Sequence, residues 1–219
     1  MTGVPGGICN ASITNEVDSI YTSDNAVCTS STKPWSCCSG AGTGSCPAAT
    51  PNLFSLIAST ESSYTQFGYT TANGLDGQWP KESATVPAGK YVGLMQVALQ
   101  MAQGNTYASP MDTAWNWLTN VQIADDIFSQ KLGYIGVIEK NAMNSHPGLQ
   151  ALDGYDAENM ALLQYGGFAS PTLPSVQYYV VLKVSGIWEW VQNPHASTKG
   201  QAYVTKVRNA TPPNSTTCN

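Results

Sequence analysis

Apolar residues recur at helical spacing in four stretches of the chain, with mostly polar positions between them. Leu53, Leu56 and Ile57 make the first group. Thr50 suits the cap of a helix there and Pro51 its first position. Ile57 and Glu61 lie four residues apart and therefore share a helix face. If that face is buried, Glu61 points toward the interior or the floor of a cleft. The second group is Val121, Ala124, Ile127, Phe128 and Leu132, with Thr119-Asn-Val-Gln122 as a capping box and Gly133 as a stop. The third is Ala157, Met160, Ala161 and Leu163, opened by Asp156 and closed by Gly166-Gly167. Residues 199–208 read as a short fourth helix. Residues 175–191 fit two readings: their Val and Tyr content suits a strand and their length suits a helix. Residues 66–89 carry Asn73-Gly74, Asp76-Gly77, Pro80 and Pro87, which mark a loop. The pattern predicts a mainly α chain with long loops and room for a small β-sheet.

The first 49 residues follow no such pattern. They hold five of the six cysteines (Cys9, Cys28, Cys37, Cys38 and Cys46) in a Gly-, Ser- and Thr-rich frame, with Trp35 as the main large apolar anchor. An even cysteine count in such a frame predicts disulfides and an oxidising compartment. Adjacent Cys37 and Cys38 point to different partners, and Cys218 can tie the C-terminal tail back. The expected organisation is a disulfide-braced segment, 1–49, and one domain, 50–219, which is long enough to bury a sizeable core. Charged residues make up 11% of the chain, against about 25% in typical domains. That scarcity fits the secreted, extracytoplasmic location suggested by the cysteines. The triplets at Asn10, Asn209 and Asn214 match glycosylation acceptors.

Charge and motifs exclude several classes. A net charge of −5 without a basic patch argues against nucleic acid. It also gives no steering toward an anionic polymer. The apolar run 176–191 is broken by Gln177, Lys183 and Glu189, so no membrane span is expected. The cysteines form no Cys-x-x-Cys pair, and His146 and His195 lie far from them, so no metal site is expected. No phosphate loop or Ser-His-Asp constellation is visible, and no cofactor is expected.

The candidate chemistry lies in two short motifs. Ala58-Ser-Thr-Glu61-Ser62 sets one carboxyl at the end of an apolar helical pattern. Gly93-Leu-Met-Gln96-Val is a compact turn mixing apolar and polar residues. Taken alone, Glu61 also fits a solvated carboxylate near a helix end. A buried or half-buried carboxyl can act as the general acid of glycoside cleavage.

Taken together and in order, the motifs resemble the lysozyme-like superfamily of soluble lytic transglycosylases and goose-type lysozymes. Glu61-Ser62 resembles the family's catalytic Glu and its Ser, and Gly93-Leu-Met-Gln96 its turn. Ser109-Pro-Met-Asp112 followed by Asn120 resembles the opening of the next family helix. Ala161-Leu-Leu-Gln-Tyr165 resembles the helix whose Tyr lies near the acid, and Ala202-Tyr203-Val-Thr-Lys-Val207 the closing motif. The likeness covers roughly residues 50–208. It implies a lysozyme-like helical domain that cleaves the β-1,4 bond between N-acetylmuramic acid and N-acetylglucosamine in peptidoglycan. It also implies Glu61 as general acid, and Ser62, Tyr91, Met95, Gln96, Tyr165 and Tyr203 as substrate-binding residues. A monomer is expected.

The chain departs from the family in the long loop between Glu61 and Gly93, in an expanded segment between Tyr165 and Tyr203, and at three further places. Gly166-Gly167 follows Tyr165 where an Asn is usual, Ala98 stands where goose-type lysozymes have Asp, and no Ser precedes the turn. Inverting hydrolysis needs a second carboxylate to activate water. Asp76 is the leading candidate, Glu82 and Asp112 are others, and Asp76 equally suits a plain Asp-Gly turn. Without a second carboxylate, Glu61 alone can yield a 1,6-anhydro product. Trp79 and Tyr91 are candidates for stacking on sugars, whereas Trp115, Trp117, Trp188 and Trp190 are expected in the core. Two other readings keep the architecture: a non-catalytic glycan-binding wall protein, and a glycosidase of chitin-type polymers.

Overall fold

The computed structural model describes residues 53–63, 67–68, 79–80, 91–98, 110–170 and 173–211. All six cysteines, and with them the predicted disulfide brace, lie outside the described residues, as do Thr50, Asp76 and Glu82. The described chain is mostly helical. Its helices are α1 (Leu53–Ser62), α2 (Pro110–Trp115), α3 (Trp117–Ser145), α4 (Gly154–Tyr165) and α5 (Thr198–Arg208). Three two-stranded antiparallel ladders accompany them: β1 (Phe67–Gly68) with β2 (Trp79–Pro80), β3 (Tyr91–Val92) with β4 (Val97–Ala98), and β5 (Tyr179–Val184) with β6 (Ile187–Gln192). No described helix is long and apolar enough to cross a membrane.

Two compact units divide the chain. In the first, which holds residues 51–126 and 207–211 of the described part, α1 buries Leu53, Phe54, Ile57 and Ala58 completely. Each of the three larger side chains contributes roughly 1.5–3 kcal/mol through burial. Val92, Leu94, Met95 and Val97 from the β3–β4 segment are buried in the same unit, as are Val121, Ile123 and Ala124 from the start of α3. Ser59 Oγ donates to the carbonyl of Thr211 at 3.1 Å, which ties the chain after α5 to α1.

The second unit holds residues 127–206 of the described part. Its core consists of Phe128, Leu132 and Ile135 from α3, almost the whole of α4, and Val204 from α5. Helix α4 is buried on nearly every side, including Glu158 and Gln164. Its N-cap is Asp153, whose carboxylate accepts the Asp156 N–H at 2.7 Å. The cap thus falls three residues before the predicted Asp156, which occupies the first turn instead.

Helix α3 also departs from its predicted limits. It starts two residues before Thr119, with Asn116 Oδ1 accepting the Leu118 N–H at 3.0 Å. It also runs straight through Gly133 and Gly136, both buried. A glycine inside a helix costs about 1 kcal/mol, and the buried row Phe128, Leu132 and Ile135 outweighs that. The helix stops only at His146-Pro147-Gly148, where Gly148 takes φ +91°.

The ambiguous stretch 175–191 becomes the β5–β6 hairpin. Ser185 and Gly186 both take positive φ (+51° and +91°), the geometry of the two-residue turn that matches strand twist. Val181 pairs with Trp190 and Lys183 with Trp188. None of the four tryptophans expected in the core is fully buried: Trp115 is 39% exposed, and the others are half-buried. Two of them, Trp188 and Trp190, meet polar partners at the margin of the fold. The Trp190 indole donates to the Gln150 carbonyl at 3.0 Å. Trp188 packs edge-on against His146 at 4.4 Å, with the Lys183 ammonium 5.5 Å from the Trp188 ring centre. An indole buries its ring and keeps its N–H satisfied best at such a boundary.

Candidate functional site

Helix α1 places Glu61 next to its last residue, and Glu61 is half-buried. The helix ends abruptly. Ser62 is 2% exposed and its hydroxyl donates back to the Ala58 carbonyl at 3.1 Å. Ser63 takes φ +56°, and its N–H donates to the Ser59 carbonyl at 3.1 Å. A non-glycine residue in the left-handed region is uncommon and carries local strain. Glu61 therefore sits on the last turn of α1, two residues before the strained Ser63.

The second motif forms a tight loop between β3 and β4. Tyr91 faces Ala98 and Val92 faces Val97 across the ladder. Gly93 (φ +79°) and Gln96 (φ +49°) turn the chain, the former without a Cβ penalty and the latter in spite of one. The Gln96 side-chain amide donates to the Gly93 carbonyl at 2.8 Å, folding the side chain across the loop it closes. Leu94 and Met95 have no exposed surface, while Tyr91 is 38% exposed. Among the predicted substrate-binding residues, Tyr91 and Gln96 thus present surface, and Met95 and Ser62 fill the interior.

Sequence reasoning singled out Asn120 only as part of a helix opening. In the fold it is fully buried and serves three backbone groups. Its Oδ1 accepts the Met95 N–H at 2.8 Å, and its Nδ2 donates to the carbonyls of Val92 at 3.0 Å and Thr113 at 3.1 Å. One carboxamide thereby fastens the loop to α2 and α3.

Glu61, Ser62, Tyr91, Met95 and Gln96 all belong to the first unit, whereas Tyr165 and Tyr203 belong to the second. Tyr165 ends α4 and meets Phe128 edge-on at 6.0 Å. Tyr203 lies on α5 with its ring centre 5.8 Å from that of Phe168. The two glycines after Tyr165 have separate causes. Gly167 takes φ +77°, and the Phe168 N–H donates to the Leu163 carbonyl at 3.0 Å, a Schellman ending of α4. Gly166 has an ordinary φ of −68°, but a Cβ there would lie 2.8 Å from the Phe168 ring and 3.0 Å from the Tyr203 ring. The Phe168 and Tyr203 rings fill the space that an Asn side chain would need.

The second unit also contains a polar arrangement that no sequence motif announces. Gln164 donates to Gln177 Oε1 at 2.8 Å, and Gln177 donates to the carbonyls of Ser170 and Leu173. Asn193 donates to the carbonyls of Ser175 and Gln177. Neutral amides here satisfy buried loop backbone, as buried polar groups require. Nearby, Tyr179 donates to Asp156 Oδ1 at 2.6 Å. Partial burial first, and that hydrogen bond second, push the Tyr179 hydroxyl above its ordinary pKa.

Asp112, the remaining candidate for a second carboxylate, is exposed in the first turn of α2. Among the described residues, no cluster of three or more His, Cys, Asp or Glu side chains is placed to hold a metal ion. No protein-family model matches the chain, and neither does any curated protein or solved structure.

Proposed function

We propose that the chain is a lysozyme-like glycosidase that cleaves the β-1,4 bond between N-acetylmuramic acid and N-acetylglucosamine in peptidoglycan, outside the cytoplasm. The observation that carries this reading is the placement of Glu61. It is half-buried on the last turn of α1, in the same compact unit as the Gly93–Gln96 loop. A general acid has to keep its proton until the bond breaks. Tyr91 and Gln96 supply an aromatic face and an amide on the loop, the two kinds of surface a sugar ring uses.

In the proposed reaction Glu61 donates its proton to the glycosidic oxygen as the C1–O bond breaks. The anomeric carbon is then taken by water, which needs a second carboxylate, or by the C6 hydroxyl of the same sugar. In the second case the Glu61 carboxylate recovers a proton from that hydroxyl, leaving a 1,6-anhydro ring and restoring the acid. The test is incubation of the full chain with purified peptidoglycan and, separately, with chitin. Muropeptides released from peptidoglycan alone support the proposal. Products from chitin alone move the activity to that polymer. Co-sedimentation with peptidoglycan without any product refutes cleavage and favours a glycan-binding protein.

A further inference from the structure

We infer that Asn120 is the positioning residue of the Gly93–Gln96 loop: it fixes the loop against α2 and α3, and so sets the alignment of glycan with the acid. The inference rests on the glycosidase reading for its functional half and on geometry alone for its structural half.

The geometry begins with the loop. Two of its four residues, Gly93 and Gln96, have positive φ, at +79° and +49°. The bond from the Gln96 N–H to the Gly93 carbonyl is long, at 3.3 Å. Gln96 is therefore strained, and the loop is weakly closed by its own backbone. Strained backbone persists only where its surroundings over-determine it. The ladder on either side is two residues long and cannot do that alone.

Asn120 supplies such a constraint. Met95 is fully buried, and its N–H donates to Asn120 Oδ1 at 2.8 Å, a bond whose loss in the interior is costly. The same side chain holds Val92, on the other side of Gly93, at 3.0 Å. It thus grips the loop at two backbone points three residues apart and leaves little freedom to rotate. Its third bond, to the Thr113 carbonyl at 3.1 Å, carries that hold to α2.

The side chain is suited to this job by type. It must accept once and donate twice, which an amide does and neither a carboxyl nor a hydroxyl can. Gln96, whose side chain closes the loop, follows wherever this clamp places the backbone. A shift of about 1 Å in a positioning group can cost on the order of 100-fold in rate.

The experiment compares the full chain with Asn120→Leu, which keeps nearly the same shape and loses all three bonds, and with Asn193→Ala. Asn193 is an equally buried carboxamide with several backbone bonds, located in the second unit. Asn120→Ser replaces the Leu variant if that does not fold. Amide hydrogen exchange at Met95 and Val97, and kcat and KM for muropeptide release, are measured well below each Tm. Expected are exchange at least tenfold faster in the Asn120 variant only, and a fall of at least tenfold in kcat. Asn193→Ala is expected to stay within about twofold in kcat. Unchanged exchange overturns the clamp, and equal kcat losses in both variants overturn its specific role in positioning. Faster loop exchange in a protein whose parent chain releases no muropeptide supports the clamp and counts against the glycosidase reading.

Discussion

Gly166→Ala is the substitution whose cost follows most directly from the packing. The new methyl carbon would lie 2.8 Å from Phe168 Cε2, 2.9 Å from Phe168 Cδ2 and 3.0 Å from Tyr203 Cδ1. Carbon atoms in van der Waals contact settle at about 3.5–4.0 Å, so both rings have to retreat. Overpacking of this kind costs about 1–3 kcal/mol. The backbone term runs the other way. Gly166 has φ −68°, which Ala adopts freely, and the loss of unfolded-state freedom returns about 0.4–1 kcal/mol. The net expectation is a loss of about 1–2 kcal/mol, with Tm lower by about 2–8 °C for a chain of this size. Urea unfolding followed by tryptophan fluorescence reads the change, with the m-value unchanged.

A matched control separates sterics from backbone strain. Gly167→Ala meets nothing within 4 Å but must hold φ +77°, at a cost of about 1 kcal/mol. Shortening the ring in Phe168→Leu should remove at least half of the Gly166→Ala penalty and none of the Gly167→Ala penalty. If Gly166→Ala is as stable as the parent chain, or if its penalty is the same in the Phe168→Leu background, the steric account of the double glycine is wrong.

Other perturbations follow from single contacts. Asp153→Ala removes the cap of α4 and should cost about 1 kcal/mol in urea unfolding, whereas Asp156→Ala should leave the Asp153 cap in place and lose the Tyr179 bond instead. Tyr179 has a raised pKa in the folded state, so the native protein retains a proton that the unfolded chain gives up above about pH 10. Its contribution to stability is therefore full below that pH and declines as pH rises above it. Tyr179→Phe should flatten that alkaline decline, and an identical pH profile for both proteins would remove Tyr179 as its source.

Local rules read the helices well where burial and capping agreed, and failed where packing overrode them. The α1 pattern placed Ile57 and Glu61 on one face, and Ile57 is fully buried with Glu61 at the margin. The ends of α3 were not legible. Gly133 looks like a stop until the buried row beyond it is known, and Asn116 becomes the cap only because α2 delivers the chain to it. For 175–191 the decisive signal was Ser185-Gly186, a two-residue turn between β-rich halves, and it was hidden because the length of the whole run suited a helix.

At the candidate site the motifs were visible and their supports were not. Glu61 and the Gly93–Gln96 loop stand out as short strings. The Asn120 clamp joins residues 25 and 28 apart in the chain, a spacing to which no local pattern is sensitive. The burial of Ser62 likewise depends on tertiary packing, since serine is mostly found exposed. The amide network of Gln164, Gln177 and Asn193 has no sequence signature, because lone carboxamides are common in loops.

The central claim is that Glu61 is the acid of a peptidoglycan-cleaving enzyme. Its most direct test is mass spectrometry of the products from purified peptidoglycan, with the full chain and Glu61→Gln run in parallel and both shown to be folded by their unfolding curves. The account predicts muropeptides from the parent chain and none above background from the variant. Anhydro ends would indicate that Glu61 acts as both acid and base, and reducing ends would call for a second carboxylate. Equal product from both proteins, or none from either, would contradict it.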